Sequence, residues 1–170
     1  MKTAPNDWDL MAIAGKDPVA VGVLFSRHRH FVFRVAWGLL NEDAAADDVV
    51  QDVFLKLSAG RLTAKPKAKF TTWLYGVAIN TAREHARKRR RLWGNVSEPV
   101  ALDAVADDQA GAERLERLKD LCAGLSHLPL RQREVVVLRF LEGFDTAETA
   151  AILGCREGTV KAHLHRATVK

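Results

Sequence analysis

Residues 145–167, DTAETAAILGCREGTVKAHLHRA, decide the fold of the C-terminal part of this chain. Asp145 followed three residues later by Glu148 is the pattern of a capping box, in which each side chain binds the backbone at a helix start. Small residues then let a short helix pack closely, Gly154 supplies a turn, and a polar, basic helix is predicted from about Glu157. Together these features predict a helix-turn-helix.

The segment just upstream continues the helical pattern. Residues 128–143 are LPLRQREVVVLRFLEG, and Pro129 and Gly143 are helix breakers near its two ends. We predict one helix from Arg131 to Leu141 between them. An apolar stripe at three- and four-residue steps predicts another helix before Pro129. The stripe consists of Leu115, Leu118, Leu121, Cys122 and Leu125.

The N-terminal half shows the same periodicity. Residues 24–40, LFSRHRHFVFRVAWGLL, have apolar side chains at helical spacing and predict a helix with one buried face. A second helix is predicted from about Ala44 to Ser58. Its inward residues are Val49, Val50, Val53, Phe54 and Leu57. Residues 60–69 hold a glycine, a proline and four basic residues and predict a loop, after which a third helix begins near Phe70.

Charge divides the chain into blocks. The formal net charge is +5 and the pI about 9.5, which suits a polyanionic partner. Residues 83–91 contain six Lys or Arg and one acid, whereas residues 94–113 contain five acids and no Lys or Arg. We predict an all-α fold of two small helical domains, residues 1–92 and 113–170, joined by an acidic flexible linker over residues 93–112.

Composition also excludes several classes of protein. The two cysteines, Cys122 and Cys155, are too few for a disulfide framework, and no apolar run has the length of a signal peptide core or of a membrane span. No phosphate-binding glycine loop, nucleophile elbow or catalytic carboxylate pair is present. His163 and His165, two residues apart on a helix, point to different sides and predict no metal site. We therefore expect a cytoplasmic protein without cofactor, metal or catalytic activity.

Both halves of the chain resemble one family, the extracytoplasmic-function (ECF) group IV of the bacterial sigma-70 factors. The first half is similar to the family's promoter-melting domain in the segments 24–40, 47–57 (DDVVQDVFLKL) and 70–91 (FTTWLYGVAINTAREHARKRRR). The second half resembles the family's upstream-element domain in the segments 128–143 and 147–167. The resemblance implies a sigma factor that binds core RNA polymerase and directs promoter-specific initiation.

The resemblance assigns the helix around residues 48–54 to docking on the clamp helices of the largest polymerase subunit. Its outer side carries the candidate core-polymerase-binding residues Asp48, Gln51, Asp52 and Leu55. Asp48 and Asp52 lie one helical turn apart, so they form an acidic, hydrogen-bonding face. A merely solvated helix face is the alternative, because surface charge usually needs no special cause.

The following segment is similar to the part of the family that captures the single-stranded −10 element. Unstacking a base costs a few kcal/mol, which stacking surfaces, a basic track and hydrogen bonds to base edges can offset. The candidate −10 residues are Lys65, Lys67, Lys69, Trp73, Asn80, Arg83, Arg87 and Lys88. Asn80 matches a family position implicated in base reading. Trp73 has core packing as its alternative, because an aromatic residue at helical spacing usually belongs to a core.

The resemblance assigns the last helix to the −35 element, with its N-terminal side chains at base edges of the major groove and its basic residues on phosphates. The candidates are Arg156, Thr159, Lys161, His163, His165 and Arg166. Two positions depart from the family pattern. Arg156 stands where a small capping residue is common, and His163 stands where Arg is common, so the promoter bases cannot be transferred from the family.

The implied partners are promoter DNA, the clamp helices of the largest polymerase subunit, the flap of the second-largest subunit and an anti-sigma factor. Two other functions fit parts of the sequence. A stand-alone helix-turn-helix regulator would bind duplex DNA without polymerase, and a protein interaction module would bind an acidic partner through the basic block. Both leave the acidic helix and the track around Asn80 unexplained.

Overall fold

The structure, a computed structural model, describes residues 5–62, 68–93, 120 and 124–169. Within these ranges the chain is helical and contains no strand, which confirms the all-α prediction. The predicted linker and most of the apolar stripe upstream of Pro129 lie outside the described residues. The domain bounds drawn from the sequence therefore stay predictions.

Four helices build the first domain: α1 (Asp7–Ala14), α2 (Pro18–Leu40), α3 (Asp43–Ser58) and α4 (Phe70–Trp93). The Asp17 side chain accepts a hydrogen bond from the backbone N–H of Val19 at 2.9 Å, and Pro18 follows as the first helical residue, so α2 begins there. It ends at Asn41, which adopts the left-handed conformation at φ 54°. Helix α1 was not predicted from the sequence.

Helices α2, α3 and α4 pack around one apolar core. The five inward residues predicted for α3 are all buried, which confirms its orientation. From α2 the core receives Leu24, Val32 and Val35, each fully buried, and from α4 it receives Leu74 and Ile79. The opposite side of α3 and the C-terminal half of α4 therefore face solvent with most of their charged residues.

The second domain contains the predicted helix-turn-helix, formed by α5 (Leu130–Val136), α6 (Thr146–Leu153) and α7 (Glu157–Thr168). The Asp145 carboxylate accepts from the Glu148 N–H at 2.7 Å and the Glu148 carboxylate accepts from the Asp145 N–H at 3.0 Å, which confirms the capping box. Gly154 closes α6 at φ 64°, as expected of the glycine turn.

The helix predicted from Arg131 to Leu141 is present, but its second half is π-helical and not α-helical. Residues Val137–Leu141 form a π-helical segment after α5, and the Glu142 N–H donates to the Val137 carbonyl at 3.0 Å, five residues back. This wider turn changes the direction of the following side chains. Glu142 consequently points toward the first domain.

The two domains share a core, which the sequence did not predict. The small core of the helix-turn-helix consists of Val135, Ala150 and Val160, whereas Val137, Leu138 and Ile152 belong to the core cluster of the first domain. Gly38 of α2 lies close to the π segment: a Cβ at this position would lie 2.9 Å from a γ-carbon of Val137. The chain is therefore closed, with α5 and the π segment packed on α2 and with α6 packed on α4.

Candidate polymerase and nucleic-acid interfaces

The candidate polymerase-binding residues lie together on the outer side of α3. Asp48 and Gln51 are exposed, and the Leu55 side chain is 63% exposed although it is apolar. Asp52 is half-buried because His85 of α4 contacts it, with 2.6 Å between His85 Nε2 and Asp52 Oδ2. The periodicity of α3 thus placed all four on one side, and their docking role stays a prediction.

His85 was missed by the sequence reasoning, because no local signal connects it to a carboxylate 33 residues earlier. A groove of about 460 Å³ opens beside it between the start of α3 and the end of α4. Its polar lining includes Asp48, Lys88 and Arg89, and Arg89 is paired with Glu42. The acidic surface of α3 and the basic surface of α4 therefore meet at this groove.

The −10 candidates that the structure describes lie on α4 or just before it, and they differ in solvent exposure. Lys69, Asn80, Arg87 and Lys88 are exposed, so they are available to a polyanion. Lys65 and Lys67 lie outside the described residues. Arg83, by contrast, is turned toward the second domain with its side chain only 17% exposed.

Trp73 is half-buried and packs among aromatic rings. Its ring centroid lies 5.5 Å from that of Trp8 and 5.4 Å from that of Phe70, and Trp8 stands edge-on to Phe70 at 5.2 Å. Rings at these separations and angles stabilise one another beyond simple burial. The packing alternative stated for Trp73 therefore accounts for its position.

The recognition helix α7 presents most of the −35 candidates to solvent. Val160 is fully buried and fixes the helix on α5 and α6, which leaves an exposed outer side. That side carries Arg156, Thr159, Lys161, His165 and Arg166. Within the described part of the chain, Arg156 makes no side-chain capping bond, as its residue type predicted.

His163 differs from the other candidates on α7. It is half-buried, and its Nδ1 atom is enclosed without a hydrogen-bond partner among the described residues. A side chain in this position supports the packing of α7 more readily than it reaches a phosphate. Its direction follows from the neighbouring Val160, three residues earlier on the same side of the helix.

Two carboxylates of the second domain bind two arginines of the first. Arg83 donates to Glu134 through Nε–Oε1 at 2.5 Å and Nη2–Oε2 at 2.7 Å, and the Glu134 side chain is fully buried. Arg34 donates to Glu142 through Nε and Nη2, both at 3.1 Å. The sequence reasoning missed both glutamates, because no local signal connects either one to an arginine 51 or 108 residues earlier in the chain.

Tyr75 completes the second of these contacts. Its hydroxyl donates to Glu142 Oε2 at 2.5 Å, and the Glu142 side chain is 5% exposed. Burial, together with the neighbouring Glu142 carboxylate, raises the pKa of Tyr75 well above its ordinary value, so the phenol stays protonated. The hydrogen bonds to Glu142 also raise the pKa of Arg34.

The described ranges also bear on membrane insertion and metal binding. No helix there has the length and apolar character needed to cross a membrane. Among the same residues no three His, Cys, Asp or Glu side chains converge as metal ligands would.

Two family models match the chain in the order of its domains. The model of Sigma-70 region 2 matches residues 24–92, and that of Sigma-70, region 4 matches residues 123–170. The first covers α2, α3 and α4, and the second covers the helix-turn-helix. These matches define the class: a sigma-70-type transcription initiation factor, a non-catalytic DNA-binding protein.

A curated relative narrows the class. The ECF RNA polymerase sigma factor SigM of Mycobacterium tuberculosis is 30% identical over 97% of this chain and 82% of its own length. The chain belongs to the ECF family of RNA polymerase sigma factors, and the resemblance stated from the sequence is confirmed.

Two solved structures share the fold. CnrH in complex with the cytosolic domain of CnrY is 26% identical with a TM-score of 0.66, over 96% of this chain and 92% of that one. RpoE of Bartonella quintana in complex with the anti-sigma factor NepR is 26% identical with a TM-score of 0.70, over 87% of this chain and 91% of that one. They confirm an all-helical chain with a region 2 and a region 4 domain.

Proposed function

We propose that this ECF sigma factor docks on core RNA polymerase through the outer side of α3, captures the −10 strand along α4 and binds the −35 element with α7. One observation carries the proposal: an acidic helix side, a basic helix and a recognition helix lie on separate exposed surfaces of one chain, in the family's order. The polymerase performs the catalytic step, and the protein acts in the cytoplasm, where that enzyme works.

Each surface suits its proposed ligand chemically. The α3 side offers two carboxylates, an amide and the exposed Leu55, a combination that suits a partner surface with both basic and apolar side chains. The exposed cations of α4 and α7 attract phosphates by a salt-dependent interaction, and side chains at the start of α7 can reach base edges. The second domain is also proposed to contact the flap of the second-largest subunit, to which Phe140, 64% exposed, offers an apolar side chain.

An anti-sigma factor is proposed as the regulator. The solved structure of RpoE from Bartonella quintana contains the anti-sigma factor NepR, and that of CnrH contains the cytosolic domain of CnrY. Co-purification from the native host in unstressed growth should yield a bound protein that suppresses transcription when added back. Repeated purification of the free chain under these conditions would contradict this part of the proposal.

In vitro transcription with core polymerase on a promoter library tests the proposal as a whole. Asp48→Ala with Gln51→Ala should weaken association with core polymerase and lower transcript yield from every selected promoter by a similar factor. Asp9→Asn, which removes one exposed acid from α1, is the matched control and should leave both unchanged. If the wild-type chain does not bind core polymerase, the proposal is wrong; tight specific binding to duplex DNA without polymerase would favour the stand-alone regulator.

A further inference from the structure

His85 of α4 belongs to none of the candidate sets, yet it contacts the acidic side of α3. Its Nε2 atom lies 2.6 Å from Oδ2 of Asp52. Because an ionised carboxylate only accepts hydrogen bonds, the ring nitrogen donates in this contact, and both the neutral ring with a proton on Nε2 and the imidazolium can do so. The contact therefore joins one proposed docking residue to the neighbouring helix.

Asp52 differs from the other polar docking candidates because its side chain is held by a neighbour. Within the described ranges the side chains of Asp48 and Gln51 make no hydrogen bond or ion pair, whereas Asp52 is bound by His85. The Asp52 side chain is nevertheless 46% exposed. One carboxylate oxygen is thus bound to α4, and Oδ1 remains for a partner that approaches from solvent.

A cation on α3 could draw the Asp52 carboxylate away if His85 did not hold it. Lys56 lies four residues after Asp52, which is the spacing at which opposite charges pair along a helix. In the structure the Lys56 ammonium instead donates to Glu84 Oε2 at 2.9 Å. His85 and Glu84 are adjacent on α4. They bind Asp52 and Lys56 separately, and so keep the Asp52 carboxylate from pairing along α3.

A carboxylate that is already fixed binds a partner more readily than one that still rotates. Ordering a side chain at an interface costs conformational freedom, and this loss weakens binding by about two- to ten-fold for each side chain. The hydrogen bond from His85 limits the rotation of Asp52 before any partner arrives. The cost of ordering Asp52 is therefore met within the free chain.

We propose that His85 is a positioning residue for polymerase docking, which holds the Asp52 carboxylate in the orientation that the polymerase binds. This inference rests on the proposed function, because it assumes that the outer side of α3 meets the polymerase. His85 acts through Asp52 and does not itself touch the polymerase. Since His85 belongs to α4, the affinity of α3 for the polymerase depends on the packing of α4 against it.

Equilibrium binding of the full chain to core polymerase, without DNA, provides the first test. His85→Ala should weaken this binding by about five-fold, within the range expected for ordering one side chain. His85→Gln should restore the affinity to within about two-fold of wild type, because the glutamine amide can donate to the same carboxylate without carrying a charge. Arg89→Ala is the matched control: it removes another α4 donor, whose partner Glu42 precedes α3 and is not a docking candidate, and it should leave the affinity unchanged.

A double-mutant cycle provides the second test and shows whether His85 acts through Asp52. Asp52→Ala should weaken binding to core polymerase at least as much as His85→Ala does, because it removes the group that His85 positions. The double variant should bind no more weakly than Asp52→Ala alone, since His85 then has no carboxylate to hold. Two independent contributions would instead multiply, and the double variant would lose about a further five-fold.

The outcomes separate this inference from the proposed function. The positioning role is contradicted if His85→Ala binds core polymerase as tightly as wild type, if His85→Gln binds no better than His85→Ala, if Arg89→Ala weakens binding equally, or if the losses in the cycle multiply. Weaker binding by the variant that carries Asp48→Ala and Gln51→Ala would still support docking through α3 in each of these cases. If the wild-type chain does not bind core polymerase, the proposed function fails together with the inference.

Discussion

Removing the Tyr75 hydroxyl should destabilise the closed chain by about 1.5 kcal/mol at neutral pH. A hydrogen bond to a charged group contributes about 1.5–3 kcal/mol, and the lower value applies because Glu142 keeps both bonds from Arg34 in the Tyr75→Phe variant. The ring itself is retained, so its edge-on contact with Phe144, at 4.5 Å between centroids, should persist. Urea unfolding at pH 7 measures the difference.

The same hydroxyl should give the stability a distinctive pH dependence. The folded chain holds the Tyr75 proton more tightly than the unfolded chain, whose tyrosine pKa is about 10. Its contribution is therefore fully present below about pH 10 and falls by about 1.4 kcal/mol per pH unit above it, until the folded phenol also ionises. The Tyr75→Phe variant lacks this decline, so the gap between the two proteins should narrow above about pH 10.

Tyr75 is the single tyrosine of the chain, which makes a direct assay possible. Tyrosinate absorbance should rise near pH 10 in denaturant and remain absent at that pH in the folded protein. A folded chain that titrates with the midpoint of free tyrosine would refute the contact with Glu142. Equal unfolding midpoints for wild type and Tyr75→Phe would refute the stabilising role of that contact.

Two further predictions concern the domain interface and the recognition helix. Gly38→Ala should destabilise the chain by about 1–3 kcal/mol in thermal or urea unfolding, because the new Cβ would overlap Val137. Gly22 is an exposed helical control site with no atom within 4 Å of a new Cβ, so Gly22→Ala should stabilise the chain by about 0.5–1 kcal/mol. Equal effects of the two substitutions would contradict the close approach of Gly38 to Val137. Lys161→Ala should weaken promoter binding by the holoenzyme similarly for all −35 sequences, and it should reduce the slope of log affinity against log salt concentration by about 1. A change in base preference would instead assign Lys161 to base reading.

The helices and the orientation of α3 were predictable because their determinants are local. A capping box, a glycine in a turn and a repeat of apolar residues each act over a few residues, so the start of α6 and the buried face of α3 followed from the sequence. The π-helical segment after Val136 was not predictable in this way. Its residues have ordinary helical periodicity, and the wider turn depends on how the segment packs against α2.

The candidate sites were predictable only in part. The exposed positions of α3 and α7 followed from helical periodicity, which assigns outer sides once the inner ones are known. Helical spacing already favoured core packing for Trp73, but it did not identify Trp8 and Phe70 as its neighbours. Nor did it reveal that His163 turns inward or that His85 contacts Asp52. Each of these depends on a neighbouring helix whose position no local pattern specifies.

By itself the sequence determined the all-helical class, the helix-turn-helix and the family, because local propensity, capping and residue order carry that information. Only the tertiary structure decided that the domains close on one another and that Arg83 and Arg34 are bound to Glu134 and Glu142. These partners are 51 and 108 residues apart. Pairing over such distances follows from how apolar surfaces pack in three dimensions, and it leaves no periodic trace along the chain.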